Sequence, residues 1–249
     1  MATRTQTEKP ERGFTVAEMP HLLRVLGHDL DSPLTALKGR LQLFHRRLVR
    51  SGSGHADLRD IDRMLALVER MSQQIALMLD TAQLQRHAFA LDVAPTDLNA
   101  VVQQAVALQQ AISPETPIHY EAPPVRIEGC WDRVGLGHAL VAVLNNAARF
   151  GKKGTPVYVR AQHVGRYARV EVEDEGIGVP FAERHLIFNF GRRASNAERF
   201  AGAGLGLFVA REIVHLHGGE IGVDAGQRDG SRFWFTLPLR AEDNTLDGR

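Results

Sequence analysis

At 249 residues the chain is longer than one typical domain and suits two, and 44% hydrophobic with 24% charged residues is a globular composition. The formal net charge of +1 gives no overall pull toward nucleic acid or an anionic membrane, so no nucleic-acid partner is expected. Cys130 is the single cysteine, which excludes an intramolecular disulfide. No apolar run reaches the ~20 residues that cross a bilayer, which excludes direct membrane insertion.

Met1 to Arg12 is polar and charged rather than an apolar secretion signal, so a cytoplasmic location is expected and residues 1–15 read as a disordered arm. From about Val16 to Arg50, Leu22, Leu26, Leu30, Leu34, Leu37, Leu41, Phe44 and Leu48 follow at steps of three or four. From about His55 to Arg86, Leu58, Ile61, Leu65, Val68, Ser72, Ile75, Leu79 and Ala82 do the same. That spacing is the seam of a helix bundle, and Ser51-Gly52-Ser53-Gly54 between the runs is a turn composition. Residues 16–88 are therefore expected to form an antiparallel helical hairpin. Met64, Leu67, Met71 and Met78 widen the second apolar face beyond what two helices enclose, which favours a homodimer closing a four-helix bundle. The competing expectation is that the seam packs on the chain's own C-terminal domain.

The pattern changes near Leu91. Thr96-Asp97 caps a predicted helix to about Ile112, and Ile118–Tyr120 and Val125–Ile127 read as short strands between proline-rich turns. A helix is predicted from about Asp132 to Phe150, then a strand pair, Val157–Val164 and Ala168–Val172, turning at Gly165-Arg166. A loop with four arginines and three glycines runs from Arg184 to Gly204, before a helix at about Leu205–His217 and strands Glu220–Asp224 and Arg232–Leu237. Strands mixed with helices that do not strictly alternate point to an α+β sandwich over residues 91–240, with 241–249 a flexible tail.

Four short stretches could carry chemistry. His28 stands two residues from both Leu26 and Leu30, about 200° around the helix from each, and so points away from the seam. Asp29 is its neighbour, Ser32 shares its face, and Pro33 leaves the Asp29 carbonyl without a helical partner. An exposed imidazole beside a carboxylate at a kink is a plausible nucleophile, although a lone histidine is more often incidental. In Asn145-Asn146-Ala147-Ala148-Arg149-Phe150, an amide and a guanidinium three residues apart could hold a metal-bound polyphosphate. Asp174-Glu175-Gly176-Ile177-Gly178-Val179-Pro180 sets a carboxylate before glycines that admit a flat ligand. Gly202-Ala203-Gly204-Leu205-Gly206-Leu207 opens a helix, whose N–H groups and dipole favour an anion. Each glycine stretch alone is a weak signal, and no GxxxxGK[ST] loop is present.

Together and in this order, the four resemble bacterial two-component sensor histidine kinases. His28-Asp29-Leu30-Asp31-Ser32-Pro33-Leu34 is similar to their phosphoacceptor box, and the other three to the N box and two glycine boxes of their ATP-binding domain. His217-Gly218-Gly219-Glu220-Ile221 and Gly230-Ser231-Arg232-Phe233-Trp234-Phe235-Thr236-Leu237-Pro238 resemble that domain's closing strands. The resemblance implies ATP and Mg²⁺ as cofactors, His28 as phosphoacceptor, Asp29 as its acid–base partner, and Ser32 as a positioner of water for dephosphorylating a regulator. It implies that Asn146 coordinates Mg²⁺, Arg149 lies near the phosphates and Phe150 lines the nucleotide pocket. Asp174 would accept from the adenine amino group, Gly176 and Gly178 would shape that pocket, and Gly202, Gly204 and Gly206 would hinge a lid. The implied partner is the receiver domain of a response regulator. Twenty or so residues before the first helix leave no room for a sensor domain, so the signal comes through a separate sensor protein or from the rest of a longer chain.

Three departures stand out. Asp31 replaces a usual basic residue, Ala142 replaces the first asparagine of the N box, and Ile187-Phe188-Asn189-Phe190-Gly191-Arg192-Arg193 is a phenylalanine box shortened by one residue. Asp31 and Ala142 motivate the alternative of a degenerate kinase that binds a partner kinase or regulator and neither labels itself nor turns over ATP. An ATPase gated like gyrase or the heat-shock chaperones is disfavoured by the hairpin carrying His28, and a metal site at His215 and His217 by their divergent directions.

Overall fold

The computed structural model describes residues 58–85, 89–197, 199–200 and 202–239, with positions 37, 39, 40, 42–44 and 46 in helical conformation. The expected phosphoacceptor segment with His28, Asp29, Asp31 and Ser32, the turn at Ser51–Gly54, the arm and the tail lie outside the described residues.

Helix α1, Leu58–Gln85, is the second arm of the expected hairpin. Its two apolar faces separate. Val68, Ile75 and Leu79 of the predicted seam stay 45–57% exposed, whereas Leu77 and Leu84 pack against the core of the C-terminal domain.

The C-terminal domain is an α/β sandwich. Its sheet has five strands in the order β2-β4-β5-β7-β6, where β2 is Ile118–Glu121, β4 Val157–Val164, β5 Tyr167–Glu173, β6 Glu220–Ala225 and β7 Ser231–Pro238. Only β2 and β4 run parallel; the remaining neighbours are antiparallel. Helices α2 (Leu98–Ile112), α3 (Arg133–Phe150) and α4 (Gly206–Leu216) supply the other layer. Period-two alternation decides which face is core: in β7, Ser231, Phe233, Phe235 and Leu237 are buried while Arg232, Trp234, Thr236 and Pro238 alternate with them. Phe233 and Phe235 meet Leu136, Leu140, Leu144 and Ile213 from the helices in one cluster. Full burial of such side chains is worth ~1.5–3 kcal/mol each, so the sandwich has an ample core without α1.

The structure corrects two predicted elements. Val125–Ile127 is not a strand; Ile127 enters the core and its carbonyl accepts the Leu98 N–H at 2.9 Å. The strand there is β3, Glu128–Asp132, which pairs antiparallel with an unpredicted β1 at Val93–Asp97. The Thr96 hydroxyl donates to the Trp131 carbonyl at 3.0 Å and ties the two together. The 184–204 loop also has order of its own, with 3₁₀ turns at Leu186–Phe188 and Ser195–Ala197.

Candidate nucleotide site

α3 is placed by its start. Asp132 Oδ1 accepts the Val134 and Gly135 N–H groups at 2.9 and 3.0 Å, which caps two of the helix's unpaired donors. The Asp132 N–H in turn donates to His217 Nε2 at 2.9 Å, while His217 Nδ1 donates to the Ile213 carbonyl at 2.7 Å. This fixes one neutral tautomer, and burial pushes the His217 pKa down. His217 therefore joins the end of α4 to the start of α3. That is a structural role, and among the described residues no group of three His, Cys, Asp or Glu side chains forms a metal cluster.

At the other end of α3, Asn146, Arg149 and Phe150 occupy positions i, i+3 and i+4 and face one cavity. The Asn146 amide has no hydrogen-bond partner among the described residues. Arg149 lies beside Gly202, and its guanidinium carbon is 5.8 Å from the centroid of the Phe150 ring. Phe200 packs edge-on against Phe150 with centroids 4.9 Å apart. The Phe150 carbonyl accepts the Ile177 N–H at 3.2 Å, which brings the first glycine stretch to the end of α3.

That approach explains Gly176. A Cβ there would stand 2.2 Å from the Phe150 carbonyl oxygen, so only glycine fits. Gly176 sits behind the cavity wall, whereas Asp174 and Gly178 line it. Asp174 is 2% exposed, and its Oδ1 accepts N–H groups from Gly176 at 2.8 Å and Ser231 at 3.4 Å. Both bonds fall on one oxygen, which leaves Oδ2 as the acceptor for a ligand. Burial pushes the Asp174 pKa up to about 6, against the opposing pull of the two N–H groups.

The third wall is the glycine loop before α4. Gly202, Gly204 and Gly206 all line the cavity. Gly204 has φ +69°, and a Cβ there would stand 2.7 Å from the Arg192 carbonyl oxygen, so this turn too is specific to glycine. Upstream, the Arg193 guanidinium donates to the Ala197 and Phe200 carbonyls, and the Asn196 amide donates to the Ile177 and Gly178 carbonyls at 3.1 and 3.0 Å. Among the described residues no side chain caps the start of α4, whose first N–H groups have no partner within the helix itself.

The structure thus brings all nine ATP-box residues of the sequence resemblance around one cavity of about 800 Å³, eight lining it and Gly176 behind. Sequence reasoning missed Phe200, which packs on Phe150, and also Asp80 of α1, which bonds His138 of α3 in the cavity lining. These are contacts between distant positions, with no local signal. Ala142 lines the cavity one turn before Asn146 and adds no polar atom there.

The family model for histidine kinase-, DNA gyrase B-, and HSP90-like ATPases matches residues 131–241. The chain is 28% identical over 242 residues to the alginate biosynthesis sensor protein KinB of Pseudomonas aeruginosa, covering 92% of this chain and 38% of that protein. It is 27% identical over 220 residues to the signal transduction histidine-protein kinase/phosphatase MprB of Mycobacterium avium (strain 104), covering 86% and 42% respectively. It thus spans less than half the length of these curated relatives. Among solved structures, a mycobacterial sensor histidine kinase MprB superposes with TM-score 0.54 at 29% identity, over 59% of this chain and 98% of that one. The Acinetobacter baumannii histidine kinase AdeS shares the fold with TM-score 0.54 at 21% identity, over 85% and 98%.

Proposed function

We propose that the chain is an ATP-dependent protein-histidine kinase of a two-component pathway, a reading supported by the match of residues 131–241 to the family model for histidine kinase-, DNA gyrase B-, and HSP90-like ATPases. Its work is to phosphorylate His28 and pass the phosphoryl group to an aspartate of a response-regulator receiver domain, as a cytoplasmic homodimer paired through the hairpin. The observation that carries this is the single cavity shared by Asn146, Arg149, Phe150, Asp174 and the glycine loop. The names of the relatives, kinase/phosphatase among them, support it.

In this scheme Asp174 Oδ2 accepts from the adenine amino group while Phe150 and Ile177 cover the base. The uncapped start of α4 and Arg149 face the phosphates, where positive dipole and guanidinium offset the charge. The Asn146 amide fits a Mg²⁺ ion, because it is an unpartnered oxygen donor in the cavity and Mg²⁺ takes few protein ligands beside phosphates and water. When bound, the ion supplies charge neutralisation on the triphosphate. A nitrogen of His28 attacks the γ-phosphorus, the bond to the β–γ bridging oxygen breaks, and ADP leaves. Asp29 accepts the proton displaced from the other ring nitrogen. The phosphoryl group then moves from the His28 nitrogen to a receiver carboxylate, and in the separate phosphatase reaction Ser32 orients a water that attacks the aspartyl phosphate, breaking its acyl–phosphate bond and releasing inorganic phosphate. A separate sensor protein, or the remainder of a longer chain, supplies the signal.

Ala142 favours one second scheme, a partner-binding module that holds ATP without turnover. Nucleotide titration with and without Mg²⁺ tests the site common to both. Asn146→Ala should abolish most of the Mg²⁺-dependent gain in ATP affinity, ~10-fold or more for a lost metal ligand contact. An unchanged Mg²⁺ dependence would remove Asn146 from the metal.

A further inference from the structure

α1 belongs by sequence to the hairpin, yet it forms a wall of the nucleotide cavity. Leu77 and Met78 pack on Leu205 beside Phe190 and Ala203, at the base of the glycine loop. One charged contact crosses this apolar seam. Asp80 Oδ2 lies 2.7 Å from His138 Nδ1, with the Asp80 side chain 9% exposed and that of His138 35% exposed. The next residue, Thr81, is fully buried and turns its hydroxyl back to the Leu77 carbonyl at 2.6 Å. His138 lies two turns before Asn146 on α3, so the contact joins the hairpin directly to the helix that carries the metal-site amide.

We propose that Asp80 and His138 form a latch that holds the ATP-binding domain docked on α1, making both residues positioning residues for phosphoryl transfer. The latch itself stands on the α1–α3 contact; what it serves rests on the kinase scheme above. A carboxylate this buried on an apolar seam is unfavourable without its partner, so removing either member disfavours docking as a whole.

The latch responds to pH with a definite sign. The hydrogen bond to Asp80 raises the His138 pKa above its ordinary value; burial opposes this, and the charges of Asp80 on α1 and Asp132 at the start of α3 add to it. A histidine raised in this way holds its ion pair fully below pH ~6.5 and loses it as pH rises through the raised value. Neutral His138 can still donate from Nδ1, so alkaline pH weakens the latch rather than abolishing it.

Amide hydrogen exchange over residues 72–84 of the full chain tests this directly. It would be run at several pH values, corrected for intrinsic rates, on wild type, Asp80→Asn, His138→Gln and the reversed pair Asp80→His/His138→Asp. Labelling kinetics from γ-labelled ATP would be measured on the same proteins. Each single variant should exchange ~10-fold faster or more over this segment, the reversed pair should regain protection to within ~3-fold, and protection should fall at alkaline pH in wild type and the reversed pair but not in the single variants. The labelling kcat should fall in step while the nucleotide KM moves less than ~3-fold, as expected for lost positioning. Wild-type protection in both single variants would overturn the latch, and so would slower labelling with unchanged protection. A loss carried by KM would overturn the positioning role. If wild type takes up no label, the kinase scheme fails, and the exchange result alone decides the latch.

Discussion

Asp174 sets a buried carboxylate, 2% exposed, among two backbone N–H groups and no side-chain cation partner among the described residues, and its pKa rises to about 6. The sign of the consequence for the nucleotide-free domain is fixed. The folded pKa lies above the unfolded one, so the contribution is intact below pH ~4 and is lost as pH rises toward 6, by ~3 kcal/mol in all. A ligand that donates an N–H to Oδ2 offsets this, which suits an adenine amino group. Binding needs the ionised carboxylate, so nucleotide affinity should fall as pH drops through about 6. In Asp174→Asn, the amide NH₂ must face either the Gly176 and Ser231 N–H groups or the ligand's amino group. Affinity at neutral pH should therefore drop ~10–100-fold. The acid limb should also be absent from the variant's pH profile relative to wild type, a comparison that cancels the titration of the nucleotide. Equal affinities and equal profiles, measured by calorimetry, would remove Asp174 from the adenine contact.

Among the elements, α1 is two-faced. Leu77, Met78 and Leu84 serve the sandwich, while Val68, Ile75 and Leu79 remain exposed at intervals of seven and four, the spacing of a bundle seam. The residues that pack on the sandwich are thus not those of the predicted seam, since Val68, Ile75 and Leu79 stay exposed. If the exposed face pairs two copies, Ile75→Glu should convert a dimer to a monomer in light scattering, without changing the far-ultraviolet helix signal. A variant that remains dimeric would place the interface elsewhere. The elements that local pattern revealed were those with strong periodicity or caps: α2 behind Asp97, whose Oδ1 accepts the Asn99 N–H at 2.9 Å; α3 behind Asp132; and the alternating β4, β5 and β7. β1 and β3 were hidden because Val93–Asp97 contains Pro95 and Asp97, while Glu128–Asp132 contains Gly129. Neither strand alternates, and only their mutual pairing defines them.

Across the whole molecule, the candidate site was legible because each wall is a short motif whose chemistry needs particular residues. Gly176 is demanded by a carbonyl 2.2 Å from its absent Cβ, Gly204 by its left-handed φ of +69°, and Asn146, Arg149 and Phe150 by one helical face. The Asp80–His138 contact was not legible, since 58 positions separate the two and neither has a local signature. The most direct measurement is incubation with γ-labelled ATP and Mg²⁺, comparing the native chain with His28→Gln. A histidine autokinase would give acid-labile, alkali-stable label on the native chain and none on the variant. No label on the native chain while ATP still binds, or equal label on His28→Gln, would contradict it.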